Sequence, residues 1–373
     1  MFAAHQLISE LALFGIFQSI CGFVGAWFLL NAQSDRLIFY ALLMAAISSG
    51  TTLVQMIRAI VKFKACRPCI SYLYDKDYLK QLFGYVSWKM LGMSCVVLRT
   101  HGVPVLANLF YGPLVNAAYS VANRVSIQAT SLSSAMMGAF QPALTSAEGK
   151  GDRQKMLAMA MQASKFGTLL ILFFVIPLTL EMQTVLHLWL VNPPLYADGL
   201  CQWMLAILVI DRMTSGSMMA VNALGRIAAY ELIQGSVIAL SLPLMWLFFH
   251  LDMGPVSIGF AVFVSTAIYC AGRLAFSKYL LQLSVSAWIQ QVAIPVSLLI
   301  AGASAAGLGI MHIFDTGFLR LCLTSAVTTT VTAGIGWFWL LTTIERQHCI
   351  SLIKGALSRF NPSNKSASIF SSK

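Results

Sequence analysis

The feature that most limits what this chain can fold into is the near end-to-end recurrence of apolar runs long enough to cross a bilayer. A transmembrane helix needs about 20 consecutive, mostly apolar residues. Stretches of that kind lie at approximately 8–30, 37–60, 84–108, 114–141, 160–188, 199–221, 230–250, 255–276, 288–311 and 319–342. Backbone amides in hydrocarbon have to be satisfied within their own segment, which favours helices over open strands. The pattern therefore predicts an all-α integral membrane protein with about ten transmembrane helices. The breaks come where Pro, Gly or charge interrupts the run: NAQSDR after the first, NPPLYADG near residue 192, DMGP near residue 252.

Composition excludes the main alternatives. Of 373 residues, 58% are hydrophobic and 10% charged, against roughly a quarter charged in soluble domains. The formal charge of +11 does not point to nucleic acid, because the basic residues stand in short clusters between apolar runs rather than on one soluble face. One alternating set of connections holds Lys62, Lys64, Arg67, Lys76 and Lys80, then Lys150, Arg153 and Lys155, then Arg226, then Arg273 and Lys278, then Arg346, Lys354, Arg359, Lys365 and Lys373; the other holds little beyond Arg36 and Arg320. By the positive-inside rule the first set is cytoplasmic, both termini are cytoplasmic and the helix count is even. Short connections leave no room for a folded extracytoplasmic enzyme domain.

The longest polar connection, VKFKACRPCISYLYDKDYLK (61–80), fits an amphipathic helix on the cytoplasmic surface. It holds Cys66 and Cys69, a lone CxxC that is weak evidence for zinc or redox chemistry. The other cysteines noted, Cys21, Cys95, Cys201, Cys270 and Cys322, fall in apolar segments, where a thiol acts as a small hydrophobe. The start, MFAAHQLISELALFG, lacks a basic n-region and cleavage site and reads as the lead into a retained helix. The Ser- and Lys-rich tail reads as a disordered cytoplasmic segment. HExxH, P-loop and GxSxG motifs are absent, as is any carboxylate cluster with metal-ligand spacing, so no enzyme, metal or cofactor is expected and any transport draws on a gradient or a partner.

The informative residues are the polar ones inside apolar runs, since a charge at mid-membrane costs about 2.5–3.5 kcal/mol or more and usually faces a cavity or a partner. Lys89 fits either a cavity or a lysine snorkelling to the cytoplasmic surface. Arg99 lies roughly 15 Å further along a helix; it faces a cavity or reaches the outer headgroups. His101 is structural or a proton carrier. Gly102 and Pro104 predict a bend that would free carbonyls beside them. After the Gly112-Pro113 break, Asn116, Ser120 and Asn123 recur on one helical face beside Arg124, with Ser131 and Ser134 beyond. Such a stripe lines water or glues helices together, whereas Arg124 needs water or an anion. Asp211 and Arg212 point about 100° apart, so each seeks partners on other helices; Asp211 is an ion-coupling candidate or half of a structural ion pair.

GYVSWKMLGMSCVVLRTHGVPVLANLFYGPLVNAAYSVANRVS, followed in order by AFQPALTSAEGKGDRQKM, LHLWLVNPP and MAVNALGRIAAYELIQG, resembles the second lobe of the bacterial polysaccharide and O-antigen flippases. These belong to the superfamily that includes the MATE multidrug exporters and the lipid II flippase. The resemblance runs from about Phe83 to Tyr279. It implies two helical lobes around a central cavity open to alternate sides of the bacterial inner membrane. It also implies movement of undecaprenyl-diphosphate-linked oligosaccharide between leaflets, cationic cavity residues for the anionic headgroup, and polysaccharide polymerase and chain-length machinery as further partners beside membrane lipids. By position, Lys89, Arg99, Asn116, Asn123 and Arg124 fall on the two helices that border that cavity.

The pattern departs from the family in its first half. Members have twelve or fourteen helices, six of them before the linker, whereas two precede it here; eight after it match the fourteen-helix type. On this reading 1–60 is the end of a first lobe missing about four helices, 61–83 a basic cytoplasmic linker, 84–283 a complete second lobe, 284–344 two additional helices and 345–373 the tail. A cation-coupled multidrug exporter and a non-transporting truncated remnant are the competing readings; the first needs an acidic cavity, while the intramembrane charges here are mainly basic.

Overall fold

The computed structural model describes residues 8–28, 36–63, 76–225, 228–341 and 345–347. The expectations placed on residues 1–7, on most of NAQSDR, on Cys66 and Cys69, on Arg226 and on the tail beyond 347 lie outside these residues. All regular structure among the described residues is helical. Among these residues seven helices are long and apolar enough to cross a membrane, or eight if one bent pair counts as a single span, so this is a multi-pass all-α membrane protein. Large apolar side chains such as Leu109, Trp246 and Ile268 face outward, as they do in lipid.

Contacts divide the chain into Met1–Gly84 and Tyr85–Lys373. In the first, α1 (Ile8–Phe28) and α2 (Arg36–Lys62) pair antiparallel, with Glu10 near the start of α1 holding Arg58 Nε at 3.1 Å and Lys62 near the end of α2. The apolar stretch of α1 that qualifies by composition is only Ala12–Gly25, so the expected first span is not among the seven.

The long helix α3 (Lys76–Gly149) explains a further part of the difference from ten. Its apolar portion, Leu82–Ser131, is 50 residues long, about 75 Å at 1.5 Å per residue and far more than one bilayer. One residue inside it, Gly112, leaves helical geometry (φ 76°, ψ −173°), and Pro113 follows. A positive φ suits glycine alone at low cost, and proline is tolerated where a new helix begins. Pro104 and Asn123 line one cavity although a straight helix would hold them about 28 Å apart; the chain therefore doubles back at Gly112. Gly102 and Pro104 cause no break of that kind, since the backbone keeps helical φ/ψ through both.

α4 (Arg153–Leu180) is the central element of the second unit. Asp152 caps it, accepting from Lys155 N at 3.1 Å, and it packs against α6 (Ala197–Met213), α7 (Ser215–Leu224), α12 (Ile294–Ile313) and α13 (Phe318–Ile335). Short α5 (Met182–Leu190) follows it. Helix α10 (Ser257–Leu281) packs on α6, α7, α8 (Ala228–Ala239) and α9 (Ser241–His250). Proline explains two irregularities by clashing with the carbonyl one turn back: Pro243 follows the α8–α9 break, and Pro295 follows a π-turn (Ile289–Ala293) between α11 (Val285–Trp288) and α12. One apolar core gathers Ile171, Leu200, Leu205, Ile258 and Leu299. A second gathers Leu144, Met156, Met219, Tyr230 and Leu281.

α6 and α7 form the bent pair, turning through 46° at Thr214. The bend brings α7 hard against α4: Gly216 N donates to Ser164 Oγ at 3.0 Å, and a Cβ at Gly216 would collide with the carbonyl oxygen of Ala160. Gly216→Ala is expected to destabilise the protein by about 1–3 kcal/mol, the usual cost of overpacking. Thermal denaturation in detergent checks this against Gly138→Ala, where the new Cβ meets nothing within 4 Å.

Candidate functional site

The cavity that the α3 hairpin creates has a volume of about 940 Å³. The first arm contributes Pro104, the second contributes Tyr119, Ser120, Asn123, Arg124 and Gln128, and α4 and α5 close it with Phe174, Leu178 and Trp189. Most of the stripe at 116, 120 and 123 thus turns inward for the reason seen in the sequence: those positions share one helical face. The hydroxyl of Ser120 bonds back to Asn116 O at 2.9 Å and is satisfied within its own helix. Asn123 and Arg124 keep their polar groups for the cavity.

Arg124 lies twelve residues past the reversal, about 18 Å along the helix, and is exposed to the cavity. Among the described residues it has no hydrogen-bond or ion-pair partner, and no Asp or Glu lines the space around it. A guanidinium at that depth attracts an anion with five donors in a planar fork, the geometry that meets phosphate or carboxylate oxygens two at a time. Phe174, Leu178 and Trp189 give the same cavity an apolar wall.

The other candidates lie elsewhere. Arg99 is at nearly the same depth on the opposing arm but reaches toward α10, donating weakly to Thr266 Oγ1 at 3.4 Å, and lies within electrostatic reach of Tyr119. Lys89 is paired with Glu231 on α8 and reaches Asn222 Oδ1 at 3.4 Å. Asn116 does not line the cavity, and its Oδ1 is buried without a hydrogen-bond partner among the described residues. His101 faces outward. Asp211 meets Arg273 Nη1 at 2.8 Å, the ion-pair arrangement rather than an open carboxylate. The structure therefore brings Asn123 and Arg124 together at the cavity and leaves Arg99, Lys89, Asn116, His101 and Asp211 outside its lining.

Among the described residues, three ion pairs with at least one buried partner join charges whose pairing the sequence does not reveal. Arg273, which the charge pattern groups with the cytoplasmic connections, is 4% exposed inside α10. Glu181, at the α4–α5 junction, faces Arg320 of α13, with Nη2 donating to Oε2 at 2.9 Å and Nε 2.8 Å from Oε1; Thr184 and Thr324 add hydroxyl donors at 2.9 and 3.2 Å. Lys165, midway along α4, stands 3.6 Å from Glu345 beside a second cavity of about 370 Å³. Lys165 and Glu181 are legible as charges inside an apolar run, but their partners lie far along the chain on other elements. Pairing across such separations leaves no local pattern.

No protein-family model, curated protein or solved structure matches this chain.

Proposed function

We propose that this chain is a flippase that moves undecaprenyl-diphosphate-linked oligosaccharide, an O-antigen, capsule or exopolysaccharide repeat unit, across the bacterial inner membrane by alternating access. The observation that carries the reading is Arg124: an intramembrane guanidinium on a roomy cavity whose lining, among the described residues, holds no carboxylate. A diphosphate headgroup supplies the anion that such a group lacks, and the apolar wall suits a polyprenyl chain. In this reading the chain has ten spans, with both termini cytoplasmic, the second lobe at 84–283 and two additional helices at 284–344. The resemblance of 83–279 to the polysaccharide flippases supports the same assignment.

The competing reading, a cation-coupled multidrug exporter, calls for an acidic, aromatic cavity, and the lining favours an anionic substrate instead. Deleting the gene in a host with no other glycan flippase separates the readings. Loss of surface polysaccharide, restored by the gene in trans, is the expected result; unchanged polysaccharide together with lost dye efflux would favour the exporter, and no change in either would favour a non-transporting remnant.

A further inference from the structure

The bend between α6 and α7 interrupts the regular helical ladder at the end of α6, where Thr214 N and Oγ1 donate to Asp211 O at 3.3 and 3.2 Å and side chains take further carbonyls. Trp288 Nε1 donates to Met213 O at 3.1 Å, Cys270 Sγ to Ile210 O at 3.4 Å, and Ser215 Oγ to Arg212 O at 2.8 Å. The remaining opening is filled by one group. Arg273 Nη1 donates to Asp211 O at 3.2 Å, Asp211 Oδ1 at 2.8 Å and Thr214 Oγ1 at 3.1 Å; Nη2 donates to Tyr269 Oη at 2.8 Å and Met218 Sδ at 3.3 Å. The guanidinium carbon lies 4.1 Å from the centre of the Tyr269 ring.

Every partner in that set is an acceptor. A carboxylate, a helix-end carbonyl with its share of negative dipole, a hydroxyl, a thioether and the electron-rich face of an aromatic ring converge on one point. Unwound carbonyls at the C-terminal end of a half-helix are also the elements with which broken membrane helices coordinate monovalent cations. We propose that the α6–α7 break is a monovalent-cation site whose resident cation is the protein's own Arg273 guanidinium. The side chain of Arg273 is 5% exposed while that of Asp211 is 31% exposed, so the site is closed on the α10 side and open past the carboxylate. A small cation can enter by that opening once the side chain is removed. Arg212, the other cation nearby, is directed to Ser134 Oγ at 3.4 Å and stands 4.0 Å from the Asp211 carboxylate. The site is separate from the Arg124 cavity and stands whether or not the flippase reading does.

The test is ligand rescue of the emptied site. Arg273→Ala in the full chain, purified in detergent, is expected to denature at a lower temperature than the natural protein. Low-millimolar guanidinium chloride should raise its midpoint in the saturable, logarithmic manner of a ligand bound by the folded state. Sodium and potassium chloride at matched ionic strength are the comparison: a rise with guanidinium alone supports a site selective for the planar cation, and a rise with an alkali cation as well supports a less selective one. No rise with any of the three overturns the proposal, as does an equal rise in the natural protein or in the Arg273→Ala, Asp211→Asn double variant. Should Arg273→Ala not accumulate, the yield of monodisperse protein from cells grown with guanidinium carries the same reading: recovery supports the site and no recovery overturns it.

Discussion

On the proposed flippase function, Arg124→Ala is expected to reduce export of the lipid-linked glycan by about ten- to a hundredfold. Hydrogen bonds to a charged group contribute about 1.5–3 kcal/mol, and each 1.4 kcal/mol is a factor of about ten. The effect falls on substrate rather than on folding, because Arg124 has no partner among the described residues whose loss would leave a group unsatisfied. Arg124→Lys keeps the charge but not the planar fork and should fall between the two. Arg99→Ala should cost less, since Arg99 reaches toward Thr266 of α10 and does not line the cavity. The appearance of new surface polysaccharide, normalised to membrane-inserted protein, measures all three; an Arg124→Ala rate equal to that of the natural protein would remove the cavity from the substrate path.

Arg320→Ala should destabilise the fold more than Gly216→Ala does, by about 3–5 kcal/mol, because it leaves the Glu181 carboxylate buried with its countercharge gone. The Glu181 side chain is 0% exposed, and the hydroxyls of Thr184 and Thr324 cannot supply a charge. The consequence should be loosening of α13 from the α4–α5 junction. Neutralising both partners, Glu181→Gln with Arg320→Met, should recover most of the loss, since a polar or apolar pair avoids the cost of desolvating ions. Thermal midpoints in detergent test this: a double variant no more stable than Arg320→Ala would mean that the pair acts through something other than its charges.

The helical class and the membrane were legible in the sequence because apolar run length is a direct physical requirement of the bilayer. So was the reversal at Gly112-Pro113, where one residue needs a positive φ and the next cannot continue a helix. Pro104 carried the same signal without the same outcome; its helix continues, packed against α9, where Gly102 meets Leu242. The inward face of Asn123 and Arg124 followed from helical periodicity. What periodicity could not supply was the direction of Arg99, the pairing of Lys89 with Glu231, or the burial of Arg273. Each depends on which helix stands opposite, and that is decided by packing between segments far apart in the chain, as with Lys89 and Glu231. Asp211 and Arg212 show the limit well: their spacing left each free to find a partner on another helix, and the structure supplies Arg273 for the first and, beside a 4.0 Å approach to Asp211 itself, Ser134 for the second.

Whether the cavity beside Arg124 carries a lipid-linked diphosphate is tested most directly in proteoliposomes holding the purified protein and a fluorescent polyprenyl-diphosphate oligosaccharide. Dithionite quenching from outside reports how fast label leaves the inner leaflet. Leaflet exchange well above that of protein-free vesicles is expected, slowed about tenfold or more by Arg124→Ala. Exchange at the protein-free rate, or exchange indifferent to Arg124, would contradict the flippase assignment.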